Sequence, residues 1–261
     1  MPTEHLRGGP VLAGAAESAQ CATHCGQCRH AATLLAADAC DPNDVCVMAH
    51  SGRRIDHFFK RHPQHAEGYL HDEFWERRAI AARYVPLAAI AALIADRDEV
   101  VRRVVASRLP ADEVAALMHD PDREVRITVA HRLDADHLLQ MAVDPDYMVR
   151  VVVAGRLSHG KLPRMVDDPE REVRKTVARR LPAFALVRLL VDPEVEVRRI
   201  VAERVLPSDA ARLLDDEDWL VRLAAVQRAP LDAIRRRIDD PEAEVRRAAW
   251  QRLQQGKDPS P

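Results

Sequence analysis

The sequence predicts an all-α solenoid, and three observations carry that prediction. A short segment beginning Asp-Pro recurs at a fixed spacing of 24 residues. Apolar residues inside each copy fall at helical rather than alternating intervals. The composition is also helix-forming: aromatics make up 4% of 261 residues and glycine is scarce, which disfavours sandwiches and turn-rich β-folds. A charged fraction of 31% beside 47% hydrophobic residues suits an elongated molecule with much surface.

Asp120-Pro121-Asp122-Arg123-Glu124-Val125-Arg126 returns in the same register at Asp144, Asp168, Asp192 and Asp240, with looser copies at Asp96 and Asp216 and a degenerate one at Asp72. Such a period is the signature of a repeat array, here about eight units over residues 72–261. Within a unit, Asp is expected to cap a helix and Pro to fill its first position. The acidic residues that follow suit the positive end of the helix dipole. Val125, Val129, Ala130 and Leu133 then form one apolar face. The chain breaks, at Pro110, Pro182, Pro207 and Pro230 in four units, and a second short segment such as Val114-Ala115-Ala116-Leu117-Met118 follows. Its length of about two turns is marginal for an isolated helix and suits partial 3₁₀ structure. One unit cannot bury both faces; stacked units can.

Two arginine series share the period. One comprises Arg102, Arg126, Arg150, Arg174, Arg198, Arg222 and Arg246; the other comprises Arg108, Arg132, Arg156, Arg180, Arg204 and Arg228. They read either as a ladder paired with the Asp and Glu of neighbouring caps or as a free guanidinium stripe for an acidic partner or nucleic acid. A net charge of −2 and one repeat Asp per unit favour the ladder. A free stripe would bind anionic polymers in a strongly salt-dependent way.

All five cysteines lie between Cys21 and Cys46. Cys25 and Cys28 form a Cys-x-x-Cys pair, and Cys40 and Cys46 can return from a loop through Asp41-Pro42-Asn43-Asp44. Four thiolates from a short segment suit zinc or an iron–sulfur cluster, and spacing leaves the two open. Cys21, Cys25 and Cys28 also mimic the three-cysteine pattern of radical S-adenosylmethionine enzymes, but no strand pattern of the kind those enzymes need follows. His24, His30 and His50 are expected on the surface or in support of the site rather than as ligands. Residues 53–62 could form a basic-aromatic nucleic-acid patch. They read better as a short helix whose Ile55, Phe58 and Phe59 cap the first repeat with Phe74, Trp75 and Tyr84. Residues 1–20 are expected as a short tail rather than a signal peptide, and residues 21–71 as the cysteine-rich module with its capping connector.

The pattern Asp-Pro-x-x-x-Val-Arg-x-x-Val-Ala-x-Arg-Leu-Pro at this period resembles the leucine-rich repeat variant (LRV) family. The resemblance departs at Arg77-Arg78, at Arg97 and Glu217 in place of the repeat Pro, and at Arg237 on an otherwise apolar position. It implies a strandless right-handed superhelix of alternating α and 3₁₀ helices. It further implies an N-terminal module with a [4Fe–4S] cluster on Cys25, Cys28, Cys40 and Cys46; Cys21 is left as a spare thiol or an alternative ligand to Cys25.

No nucleophile–base pair, phosphate-cradling glycine loop or carboxylate cleft stands out, so an enzyme is not the favoured reading. No stretch reaches the roughly 20 apolar residues of a membrane helix, and a cytoplasmic location follows by default. The expected function is a scaffold that binds another protein, with the cluster in electron transfer or in redox or iron sensing. Nucleic acid is a weaker candidate partner, and no small-molecule substrate is evident. The alternative is a non-redox interaction module with a structural metal, zinc or cluster.

Overall fold

The computed structural model of the chain describes residues 25–256. The expected tail, Cys21, His24 and residues 257–261 lie outside the described residues. Nine α-helices of seven residues or more run through the rest: α1 (Gly52–Arg61), α2 (Trp75–Ala81), α3 (Glu99–Arg108), α4 (Arg123–Arg132), α5 (Tyr147–Arg156), α6 (Arg171–Arg180), α7 (Val195–Arg204), α8 (Trp219–Arg228) and α9 (Ala243–Gln255). From α2 onward each begins 24 residues after the last. Among the described residues there is no strand, only an isolated bridge between Asp41 and Val45. The chain divides into two compact units between Thr128 and Val129. In the first, α1 packs on α2 and α2 on α3; in the second, α5 to α9 pack each on the next.

Between the long helices lie the short segments, which are 3₁₀ at Val114–Leu117, Leu138–Val143, Leu162–Met165 and Ala183–Leu189. Elsewhere a single α turn runs on into 3₁₀, as at Pro207–Ala210 and Ala211–Asp215. Helices α3, α5, α6, α7 and α8 each end where the next residue turns extended. Leu109 and Leu181 adopt ψ of 149° and 144°, as residues before proline must. Leu157, followed by Ser158, does the same at 145°. All three leucines are fully buried, so burial of the side chain secures the break even where proline is absent. The predicted apolar face is likewise buried: Val125, Val129, Ala130 and Leu133 are each 0% exposed. Gly256 closes α9 in the left-handed conformation, φ 61°, with its amide on the Arg252 carbonyl, a common helix stop.

The role expected for the repeat Asp needs correction. It is not the helix cap, and Pro is not the first helical residue. The cap is the acidic residue two positions later: Asp98, Asp146 and Asp218 accept amides of the first turn. Asp122 takes the amides of Glu124 and Val125. The repeat Asp instead folds the turn before the helix. Asp96, Asp120, Asp168, Asp192, Asp216 and Asp240 each accept the amide two residues on, at 2.9–3.0 Å.

Its other partner is the arginine of the preceding unit. Arg78, Arg102, Arg150, Arg174, Arg198 and Arg222 each donate through Nε and Nη2 to the Asp 18 residues ahead, both bonds at 2.7–3.0 Å. The remaining Nη1 turns back to carbonyls of its own unit, as Arg174 does to Asp168 at 2.8 Å and Pro169 at 3.0 Å. The planar five-donor fork of arginine suits this three-way clip, which lysine could not reproduce. The degenerate first unit keeps the clip through Arg78. Its neighbour Arg77 pairs with Asp72 at 2.8 Å, and Arg237, on an otherwise apolar position, pairs with Asp215 and Asp240.

The second arginine series also differs from expectation. Arg108, Arg156, Arg180, Arg204 and Arg228 bond to carbonyls at or just past the end of the preceding helix. Arg180 donates Nη1 to Ala154 at 2.6 Å and Leu157 at 2.7 Å; Arg156 reaches Ala130, Arg204 reaches Ala178 and Arg108 reaches Ala82 and Val85. Terminal carbonyls of a helix lack intrahelical donors, and here the following unit supplies them. Arg180→Ala should therefore lower stability by about 1–3 kcal/mol, read as a lower midpoint in denaturant. A loss equal to that of an exposed arginine would show that water replaces the contact at no cost.

Candidate functional site

The cysteine segment precedes α1 and is built from tight turns. The Cys28 amide donates to the Cys25 carbonyl at 3.2 Å and the Ala31 amide to the Cys28 carbonyl at 3.0 Å, leading into a π-helical turn at Ala31–Leu35. The chain returns through Asp41-Pro42-Asn43-Asp44. Asp41 exchanges backbone bonds with Val45 at 3.1 and 2.7 Å, and its carboxylate accepts the Asn43 amide at 2.8 Å. Asp38 enters this stretch with a positive φ of 53°, which aspartate tolerates better than most residues.

Three contacts hold the returning loop. The Cys46 amide donates to the Arg54 carbonyl, His57 donates to the Asp44 carboxylate at 3.1 Å, and His62 Nε2 donates to the Ala39 carbonyl at 2.8 Å. Ile55, Phe58 and Phe59 of α1 are buried, and α1 packs on α2. Aromatics placed there cannot stack on bases, and Arg53 and Arg61 lie beside Asp44. Trp75 lies 6.0 Å from Phe74 between ring centres but is 38% exposed.

Cys25, Cys28, Cys40 and Cys46 line one cavity, whose walls include Leu35, Val47, Met48 and Phe58. All four sequence-chosen residues thus come together. The Cys40 thiol is pushed above its ordinary range by burial, and then by Cys28, Cys25 and Asp41. A thiol whose pKa is raised in this way in an apolar pocket needs a cation to stay ionised. Among the described residues no three His, Cys, Asp or Glu side chains converge as the shell of a single metal ion.

His30 and Tyr69 were not singled out as site residues for their buried polar atoms. His30 lines the cavity, is 6% exposed, and has a buried Nε2 with no hydrogen-bond partner. Its ring centre lies 4.5 Å from that of His65, 5.3 Å from Phe58 and 6.0 Å from Tyr69. Burial, with His65, Arg29 and His62 nearby, pushes its pKa down to about 4, so the imidazole is neutral at neutral pH. Tyr69 is 1% exposed and its hydroxyl is also buried without a partner. Burial pushes that hydroxyl up to about 12; Arg29, 4.3 Å above the ring, opposes the shift and Cys28 adds to it. The only sequence signal for His30 is its place two residues after Cys28, and Tyr69 gave none.

The other candidate site, a guanidinium stripe, is not present in the first series as a free surface. The arginines paired with repeat aspartates are 4–12% exposed at the side chain, and those aspartates 0–8%. No described helix is long and apolar enough to cross a membrane.

The family model "Leucine rich repeat variant" matches residues 123–146 and 171–194. A solved protein described as "a leucine-rich repeat variant with a novel repetitive protein structural motif" is 53% identical, with a TM-score of 0.83, over 88% of this chain and 98% of its own. An engineered protein of known structure aligns over 91% of this chain and 93% of its own, at 14% identity and a TM-score of 0.41. No curated protein matches the chain. On its 24-residue helical repeat and its kinship over nearly the whole of that relative, the chain belongs to the leucine-rich repeat variant family.

Proposed function

We propose that this repeat scaffold binds another protein through its solenoid surface and carries a [4Fe–4S] cluster on Cys25, Cys28, Cys40 and Cys46, which serves electron transfer or redox sensing. The observation that carries the cluster is the meeting of four thiols at one apolar cavity. A single zinc at about 2.3 Å from each sulfur would need all four within about 3.8 Å of one another, whereas ligands of a cubane surround a larger volume. Thiols that border a cavity without converging on a point fit the second arrangement better. When bound, the cluster supplies a one-electron couple; the chain's own residues set the ligand positions, exclude water through Leu35, Val47, Met48 and Phe58, and hold the loop through His57 and His62. A protein partner is favoured over nucleic acid because Arg102, Arg150, Arg174, Arg198 and Arg222 are committed to buried pairs, while Val143, Phe184 and Val191 stand 71–85% exposed.

Anaerobic reconstitution tests the reading. Brown protein with about four iron and four sulfide per chain is expected, with most of the iron lost in Cys28→Ser and Cys40→Ser. Capture of a partner should then depend on the cluster's redox state. Colourless protein holding one zinc, or iron uptake indifferent to Cys40→Ser, would overturn the cluster.

A further inference from the structure

Two buried donors without partners sit together beside the cysteine cavity. Among the described residues only four buried side-chain atoms lack a hydrogen bond: His30 Nε2, Tyr69 Oη, Arg228 Nε and Arg237 Nε. The two arginines are bonded through their other nitrogens, so their orphan N–H groups belong to satisfied side chains. For His30 and Tyr69 the orphan is a principal polar group of the side chain. Each such burial costs about 1–3 kcal/mol when unmatched, and native proteins rarely leave two in contact. Their rings are 6.0 Å apart. His30 lines the cavity itself, and Tyr69 packs beside the His30 ring.

We propose that His30 and Tyr69 are positioning residues that donate hydrogen bonds to the sulfur shell of the cluster, His30 through Nε2–H and Tyr69 through its hydroxyl, and thereby raise its reduction potential. This rests on the cluster reading above. The physical reason is charge. Reduction adds an electron that increases negative charge on sulfur, so a fixed N–H or O–H donor stabilises the reduced form more than the oxidised one. An imidazole N–H and a phenol O–H can each serve as such a donor, and His30 packs against Phe58 and Tyr69 against Phe59.

The experiment uses the full chain, reconstituted anaerobically with iron and sulfide, as wild type and as Tyr69→Phe, His30→Leu and His30→Gln. Metal analysis comes first: a wild-type chain that takes up no cluster overturns both this inference and the cluster reading. With the cluster present, dye-mediated redox titration is expected to show about tenfold less reduced cluster at a fixed potential in Tyr69→Phe and in His30→Leu, equivalent to ~59 mV for one electron. His30→Gln, which keeps a donor, should recover most of the shift. A second measurement separates this role from simple packing. Without the cluster, Tyr69→Phe should melt no lower than wild type, because it removes an unmatched hydroxyl; with the cluster it should melt lower. Unchanged potentials in loaded variants, or equal losses of stability with and without the cluster, overturn the inference while leaving the cluster in place.

Discussion

Asp240→Ala is expected to destabilise the protein by about 3–5 kcal/mol, because it leaves the buried Arg222 charge without its counterion. The Asp240 side chain is 0% exposed. It accepts Arg222 at 2.9 and 3.0 Å, Arg237 at 3.2 Å and the Glu242 amide at 3.0 Å. Replacing the whole pair, Asp240→Leu with Arg222→Met, should cost much less, since no buried charge remains. Urea unfolding checks both, with the midpoint shifting at constant slope. Similar losses in the single and double variants would mean that packing, not the charge, sets the effect.

The same pairs predict acid sensitivity. Burial disfavours ionisation of Asp96, Asp120 and Asp240, but hydrogen bonds from Arg78, Arg102 and Arg222 and from the following amides outweigh it. Each carboxyl is held below the ordinary value of 3.8. A depressed folded-state pKa adds stability that is complete above the unfolded value and is lost as pH falls through the folded one. Stability should therefore drop steeply only below about pH 4, where these groups protonate. A plateau from neutral pH down to pH 2 would contradict the ladder as a charged structure.

Phe59→Ala should cost a further 3–5 kcal/mol, the range for deleting a fully buried aromatic ring. Phe59 is 0% exposed and meets Phe58 and Tyr69 edge-on, each at 5.4 Å, with Tyr84 at 6.2 Å. Because Phe58 lines the cysteine cavity, the loss should fall on the cysteine segment and α1. Hydrogen exchange would report it as faster exchange over residues 25–61 with the second unit unchanged. Uniform loss of protection would place the effect elsewhere.

The period was legible in the sequence to the residue, since helix starts follow the Asp-Pro copies without drift. The work of that Asp was not. Asp and Pro each fit a helix start by local preference, yet another acidic residue at Asp98, Asp122 or Asp146 fits the cap equally well. Which one caps is decided by the arginine of the preceding unit, a contact no local rule contains. The carbonyl partners of Arg156 and Arg180 were invisible for a similar reason: backbone acceptors leave no mark on composition. Cys25, Cys28, Cys40 and Cys46 announced themselves by clustering. His30 and Tyr69 did not, because an unmatched donor is a property of packing rather than of sequence.

Each clip and each helix-end contact makes a unit depend on its successor. Arg150 takes the Asp of the next copy, and the carbonyls of Ala154 and Leu157 take an arginine from that same copy. Growth and shrinkage of such a chain are therefore quantised. Removing residues 168–191 brings Asp192 to where Asp168 stood and hands Arg150 an equivalent partner, whereas removing one residue more or fewer breaks both devices at once. A gene for this protein can lengthen by copying whole units, but it has almost no room for small insertions between one Asp-Pro turn and the next.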